Sequence, residues 1–162
     1  MEFLPIVEDH YSQVVEIYLQ GISTGIATFQ TQAADWADWN RSHLHHCRIG
    51  AFEGDILIGW AALSPVSGRP VYAGVAEVSI YIAEDFRGRG VGKKLLLKLI
   101  EESESAGIWT LQSGIFSENK ASIKLHQQCG FRIVGCRERI GKRDGQWKDN
   151  LLLERRSNIV GI

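Results

Sequence analysis

The stretch Arg87-Gly88-Arg89-Gly90-Val91-Gly92-Lys93 constrains this chain more than any other. It follows an alternating segment, Val75 to Ile82, in which Glu77, Ser79 and Tyr81 fall on one side of a strand and Val78, Ile80 and Ile82 on the other. It precedes a helical stripe of Leu95, Leu96, Leu99 and Ile100, which Gly107 ends. Glycines let backbone approach a ligand closely, and the first N–H groups of a helix have no internal partner and carry partial positive charge. A strand, such a loop and a helix in succession therefore make an anion site. Arg87, Arg89 and Lys93 add charge at the same place, which suits a phosphate.

Spacing separates three phosphate-binding loops. A P-loop needs Gly-x4-Gly-Lys-Ser/Thr, but Arg87 stands five before Gly92 and Lys94 follows Lys93. A dinucleotide-binding GxGxxG needs its third glycine one position later than Gly92. What remains is Arg-x-x-Gly-x-Gly over Arg87 to Gly92.

The rest of the chain reads as a compact α/β arrangement. A helix is expected from about Asp9, with Tyr11, Val14, Val15, Tyr18 and Leu19 on its apolar face and Gly21 as its stop. A second is expected over Thr31 to His46. Two strands, Arg48 to Phe52 and Ile56 to Leu63, flank the turn Glu53-Gly54-Asp55. Ser64 to Pro70 reads as a loop. A strand from about Trp109 to Ile115, a helix opening at Ser117-Glu118-Asn119 and closing at Cys129-Gly130, and strands Phe131 to Cys136 and Trp147 to Leu153 complete the pattern. With 162 residues, 44% of them hydrophobic, one domain over 1–162 is expected.

Beyond the glycine loop, Ala27-Thr28-Phe29, Arg69-Pro70-Val71-Tyr72, Glu77-Val78-Ser79-Ile80-Tyr81-Ile82, Glu118 to His126, and Gly141-Lys142 through Gly145 to Asp149 carry a resemblance. The chain resembles the GNAT superfamily of N-acetyltransferases over nearly its whole length, and within it the phosphinothricin and methionine sulfoximine acetyltransferase group. The resemblance implies an α/β (α+β) fold: a central mixed, mostly antiparallel sheet, splayed at the cofactor site, with helices on both faces. It implies acetyl-CoA as co-substrate, a small-molecule amine as acceptor, and a homodimer. Two departures, Gln20 and Ala73-Gly74-Val75, are expected near the acceptor pocket.

Amide formation from an amine that is protonated near pH 7 requires a base. The resemblance places Glu77 in that role, acting directly or through water. His126, in Leu125-His126-Gln127-Gln128-Cys129-Gly130-Phe131, stands where many family members carry a tyrosine that protonates the departing thiolate. A histidine can donate a proton or simply hydrogen-bond the cofactor. Cofactor contacts are expected from Ile80, Tyr81 and Ile82, whose main chain would pair with the pantetheine arm as an added strand does, from Arg87, Gly88, Arg89, Gly90, Val91, Gly92 and Lys93, and from Asn119 and Ser122. Asn119 also reads as a helix cap. The resemblance assigns Phe29, Arg69 and Tyr72 to the acceptor.

Competing readings are acetylation of another small amine or of a protein N-terminus, and a non-catalytic acyl-CoA-binding module. A net charge of -1 supplies no global field for nucleic acid or an anionic membrane. No run approaches the roughly 18 apolar residues of a membrane span. Cys47, Cys129 and Cys136 form no paired framework and suit a reducing compartment, so a cytoplasmic location is expected. They also lack the neighbouring base of an acyl-cysteine route, which favours direct transfer in a ternary complex. His43, His45 and His46 point in different directions on a helix, and no metal is expected.

Overall fold

A computed structural model describes residues 1–162. In chain order the elements are β1 (Glu2–Pro5), α1 (Tyr11–Ser23), α2 (Trp36–Ser42), β2 (Arg48–Glu53), β3 (Ile56–Pro65), β4 (Val75–Ile82), α3 (Val91–Ser105), β5 (Thr110–Phe116), α4 (Lys120–Gln128), β6 (Arg132–Arg143) and β7 (Gln146–Arg156). All seven strands join one sheet in the order β1-β2-β3-β4-β5-β7-β6. Only β4 and β5 run parallel. This is the mixed, mostly antiparallel sheet expected.

Two apolar layers cover the sheet. On one face Leu95, Leu96, Leu99 and Ile100 of α3 and Ile123 of α4 pack with Ile49, Ile58, Ala61, Leu63, Val78 and Leu111. Leu95, Leu96 and Leu99 are completely buried, so Leu99→Ala leaves a cavity that costs about 2–5 kcal/mol. On the other face Tyr11, Val14 and Ile17 of α1 and Trp39 of α2 cover Phe52, Leu57, Trp60 and Ala62. Helices lie on both faces for the reason the stripes gave.

The local differences from expectation have physical causes. Gly21 does not stop α1; it lies within it, and a Cβ there would stand 2.8 Å from Tyr81 Cδ1, so the glycine lets helix and strand approach. The helix buries Ile17 and Ile22 instead of Leu19, which is exposed. The α2 helix is a fraction of the Thr31 to His46 expected. Asp35 caps its start by accepting from the Asp38 N–H at 2.8 Å. At its end the buried Arg48 guanidinium takes the carbonyls of Asn40 and His43 at 2.7 and 2.9 Å, groups that would otherwise continue a helix. The edge strand β1 has four residues, too few for its period to be read. The β6–β7 hairpin is longer than expected because register shifts at Ile133/Gly135 and Arg137/Gly141 interrupt its alternation. Asp144 and Gly145, both at positive φ, make its turn.

One feature of the topology positions the site. The β4–β5 register holds only at Val75↔Thr110, Ala76↔Leu111 and Glu77↔Gln112. Beyond Glu77 the strands diverge, β4 staying with β3 as far as Ile82 and β5 with β7 as far as Phe116. The sheet opens into a V whose apex is Glu77.

Candidate active site

The V opens into a cleft of about 1330 Å3 that reaches from the glycine loop to α1 and α2. Its walls bring together most of the residues singled out in the sequence: Phe29, Glu77, Ile80, Tyr81, Ile82, Arg87, Gly88, Gly90, Gly92, Lys93, Asn119, Ser122 and His126 all line it.

The glycine loop forms one end. Gly88 and Gly90 have φ of 74° and 80°, values that side chains disfavour. A Cβ at either would meet nothing, so conformation, not space, requires these glycines. Gly92 is different: a Cβ there would stand 3.2 Å from Leu125 Cδ2, where α3 and α4 cross. The N–H groups from Gly88 to Lys93 make no hydrogen bond within the chain, and no side chain caps α3. Arg87, Lys93 and Lys124 stand around them in the cleft wall. An array of free donors beside cations fits a pyrophosphate. Arg89 and Val91 present no side chain to the cleft: the Arg89 side chain lies over the Phe86 ring, and Val91 is buried core.

Glu77 is half-buried at the apex, where Gln112 Nε2 donates to its Oε2 at 3.0 Å. It is the single carboxylate among the residues that line the cleft. The pairings Ser64↔Glu77, Ala62↔Ser79 and Trp60↔Tyr81 put Glu77 on the sheet face that α1 and α2 cover. Ile80 and Ile82 face the other layer and pack against it. Past the apex, the β5-facing edge of β4 has no strand partner along Val78 to Ile82, so its main chain is free to pair with an amide-bearing arm.

His126 is almost completely buried in the wall, at 1% exposure. Its Nδ1 lies 2.8 Å from the Ser122 carbonyl, which can only accept, so Nδ1 carries the proton. Nε2 is then an acceptor, and it has no partner. Burial lowers the pKa below the ordinary histidine value, opposed by the Ser122 hydrogen bond. The ring is neutral near pH 7. Asn119 is a cap, its Oδ1 accepting from the Ser122 N–H at 3.2 Å, and its Nδ2 also donates to the Ile26 carbonyl at 3.4 Å.

The acceptor residues divide. Phe29 lies in the cleft, edge-on to Phe116 at 4.5 Å and against Gly141, where a Cβ would stand 2.9 Å from its ring. Arg69 and Tyr72 do not join it. They are exposed on the segment before β4, Arg69 lying over the Tyr72 ring, and neither lines the cleft of its own chain. The two departures from the family pattern, Gln20 and Ala73-Gly74-Val75, do not line the cleft. Gln20 Oε1 accepts from the Glu84 N–H at 2.8 Å, tying α1 to the turn before the glycine loop. Gly74 lies under the Trp109 ring, where a Cβ would come within 2.0 Å. No cysteine lines the cleft, and burial raises the thiols of Cys47, to about 11, and of Cys129.

Sequence reasoning missed Gln112, Phe116 and Asn150, which line or brace the opening from β5 and β7, and Trp60, Tyr18 and Tyr11, which wall its far end. Only alternation within β5 marked Gln112. The aromatic residues read as core, which most of their surface is.

The chain belongs to the acetyltransferase (GNAT) family, whose model matches residues 14–131. It is 36% identical over 142 residues to an L-methionine sulfoximine/L-methionine sulfone acetyltransferase of Pseudomonas paraeruginosa, covering 84% of this chain and 83% of that one. It is 31% identical over 157 residues to a phosphinothricin N-acetyltransferase of Alcaligenes faecalis, covering 93% and 80%. Among solved structures, a phosphinothricin acetyltransferase of Sinorhizobium meliloti in complex with AcCoA superposes with a TM-score of 0.88 at 25% identity, covering 99% of this chain and 90% of that one.

Proposed function

We propose that this acetyl-CoA-dependent N-acetyltransferase acts on the primary amine of a small amino-acid-like acceptor, of the phosphinothricin, methionine sulfoximine or methionine sulfone type, by direct transfer in a ternary complex. One observation carries the reading: the cleft's single carboxylate, Glu77, stands at the apex of the V, between a phosphate cradle and an aromatic chamber. Acetyl-CoA supplies an activated thioester. The cradle from Gly88 to Lys93 holds its pyrophosphate, and the free edge of β4 orients its pantetheine arm. Glu77 removes a proton from the acceptor amine, directly or through one water, as the C–N bond forms and the C–S bond breaks. The neutral His126 has no proton to give at Nε2 and contributes an acceptor, so the departing thiolate is protonated from solvent. That favours a hydrogen-bonding role over a proton donor. A cleft with one carboxylate offers no second counter-charge to a polyamine, which argues for amino-acid-like acceptors.

A homodimer belongs to the proposal. Arg69 and Tyr72 are outside their own cleft, so the acceptor role implied for them requires delivery into the cleft of a second copy. Val71, Ile140 and Trp147 offer exposed apolar surface for such an association. Sedimentation equilibrium reads the assembly, and a monomeric active enzyme removes both residues from the site. A cytoplasmic location is likewise proposed, supported by three unpaired thiols.

Release of CoA thiol from acetyl-CoA is to be measured against methionine sulfone, methionine sulfoximine, phosphinothricin, common amino acids and spermidine. Signal from the amino-acid-like acceptors and silence with spermidine is the expected outcome. Glu77→Gln should cut turnover about a hundredfold or more at saturating substrates, while acetyl-CoA still raises Tm. Unchanged turnover removes Glu77 as the base.

A further inference from the structure

The far arm of the cleft holds a polar group with no partner. Trp60 on β3 is 2% exposed and lines the cleft, and its indole Nε1–H makes no hydrogen bond. Aromatic rings surround it: Tyr81 at 5.0 Å, Trp39 at 5.9 Å and Tyr18 at 6.2 Å between centroids. Two of the phenols nearby are engaged elsewhere, Tyr11 donating to the Ala34 carbonyl at 2.7 Å and Tyr18 sharing a 3.4 Å contact with the Thr28 hydroxyl. A buried donor left unmet is costly, and native interiors seldom keep one without a reason.

The strand register connects this donor to the reacting end. Trp60 pairs with Tyr81 on the same sheet face as Glu77. The four residues from Glu77 to Tyr81 span about 13 Å, a length that an amino acid bridges when its amine meets Glu77 through one water. No carboxylate other than Glu77 lines the cleft, so the chamber is not built for a cationic side chain, although its rings could face one. What it offers is a largely aromatic wall and, in Trp60, a buried hydrogen-bond donor without a partner.

We infer that Trp60 determines acceptor specificity: its indole N–H donates to an oxygen carried on the sulfur or phosphorus at the end of the acceptor side chain, while Tyr18, Trp39 and Tyr81 pack the adjoining methyl or methylene groups. The inference rests on the acceptor class proposed above and refines it. A site built around a donor rejects an analogue without the matching acceptor more strongly than a purely apolar pocket can.

The test compares L-methionine sulfone with L-methionine, which has the same carbon chain and no side-chain oxygen. In Trp60→Phe the ratio of kcat/KM for sulfone over methionine should fall roughly tenfold. Because both substrates are read on the same preparation, any loss of folded enzyme cancels from the ratio. An unchanged ratio in an active Trp60→Phe enzyme overturns the role of Trp60 and leaves the acceptor class standing. A wild-type enzyme that acetylates none of the amino-acid-like acceptors overturns the acceptor class, and the inference with it. A measurement on the unaltered protein guards against a variant that does not fold. The Trp60 indole 1H–15N resonance, assigned by sequential experiments, should move downfield on adding methionine sulfone and not on adding methionine, and a resonance that ignores the sulfone refutes the contact.

Discussion

The two ends of the cleft are built by opposite means. The proposed cofactor end is local and made of backbone: consecutive residues from Gly88 to Lys93 present free N–H groups, and two glycines at positive φ set their direction. The acceptor end is distributed and made of side chains. Its walls come from α1, α2, the segment between them, β3 and β4, and the positions of those walls depend on long-range ties. The difference teaches that a backbone site survives most side-chain changes but not a change of conformation, whereas a side-chain site can be loosened from a distance.

Gly90→Val tests the first half of that comparison and should have the larger effect. The substitution puts a β-branched residue at a φ of 80°, a strain of about 1–2 kcal/mol or more, where relaxation would turn the cradle's donors away. The KM for acetyl-CoA should rise about tenfold or more, with acceptor KM nearly unchanged. The control is Gly92→Ala, whose tightest contact is the movable end of Leu125 and which should be milder. Equal effects on both substrates would break the division of the cleft into two ends.

Arg143 tests the second half. Its guanidinium is buried at the end of β6 and donates to the Ile22 carbonyl at 3.0 Å and the Thr28 carbonyl at 3.3 Å, pinning the segment that carries Phe29. Nothing in this residue touches the cofactor end. Arg143→Leu leaves both carbonyls without their donor, a loss of about 2 kcal/mol, and should lower Tm by several degrees. Acceptor KM should rise severalfold while acetyl-CoA KM stays put, and a merely structural residue would move Tm alone.

The same contrast explains what the sequence made legible. The glycine loop and the α3 stripe could be read because their signals lie within a few residues, and α3 forms where its leucines predict. Glu77 could be placed on its strand, but its position at the apex could not, because the end of β4–β5 pairing depends on two segments more than thirty residues apart. The resemblance puts Gln20 near the acceptor pocket, but its partner is the Glu84 N–H, far along the chain, which no local pattern marks. Trp60 lay unmarked within the strand Ile56 to Leu63, because an apolar run reports burial and says nothing of an unpartnered N–H. Arg69 and Tyr72 matched a pattern, yet a single chain leaves them outside the cleft.

The smallest expected effect is on stability as a function of pH, and it sharpens the comparison because each end of the cleft contains a histidine, buried in one case and half-buried in the other. His126 in α4 and His43, stacked on Trp39 at 4.4 Å beside α2, are each held below the ordinary histidine pKa, chiefly by burial. In the unfolded chain both titrate near 6.5. Below that value the unfolded state binds more protons than the folded one, so stability falls as pH falls. The loss begins as pH drops through the unfolded pKa and ceases to grow below the folded values. For His43, the Trp39 carbonyl at 2.8 Å opposes the shift and the nearby Arg48 adds to it; for His126 only the Ser122 carbonyl opposes. Tm measured from pH 7.5 down to pH 5.5 should decline, and the decline should be shallower in His126→Gln and in His43→Gln, whatever each substitution does to Tm at pH 7.5. A slope unchanged by His126→Gln would mean that the ring is not held neutral, and would return the proton-donor role to a residue whose geometry now argues for an acceptor.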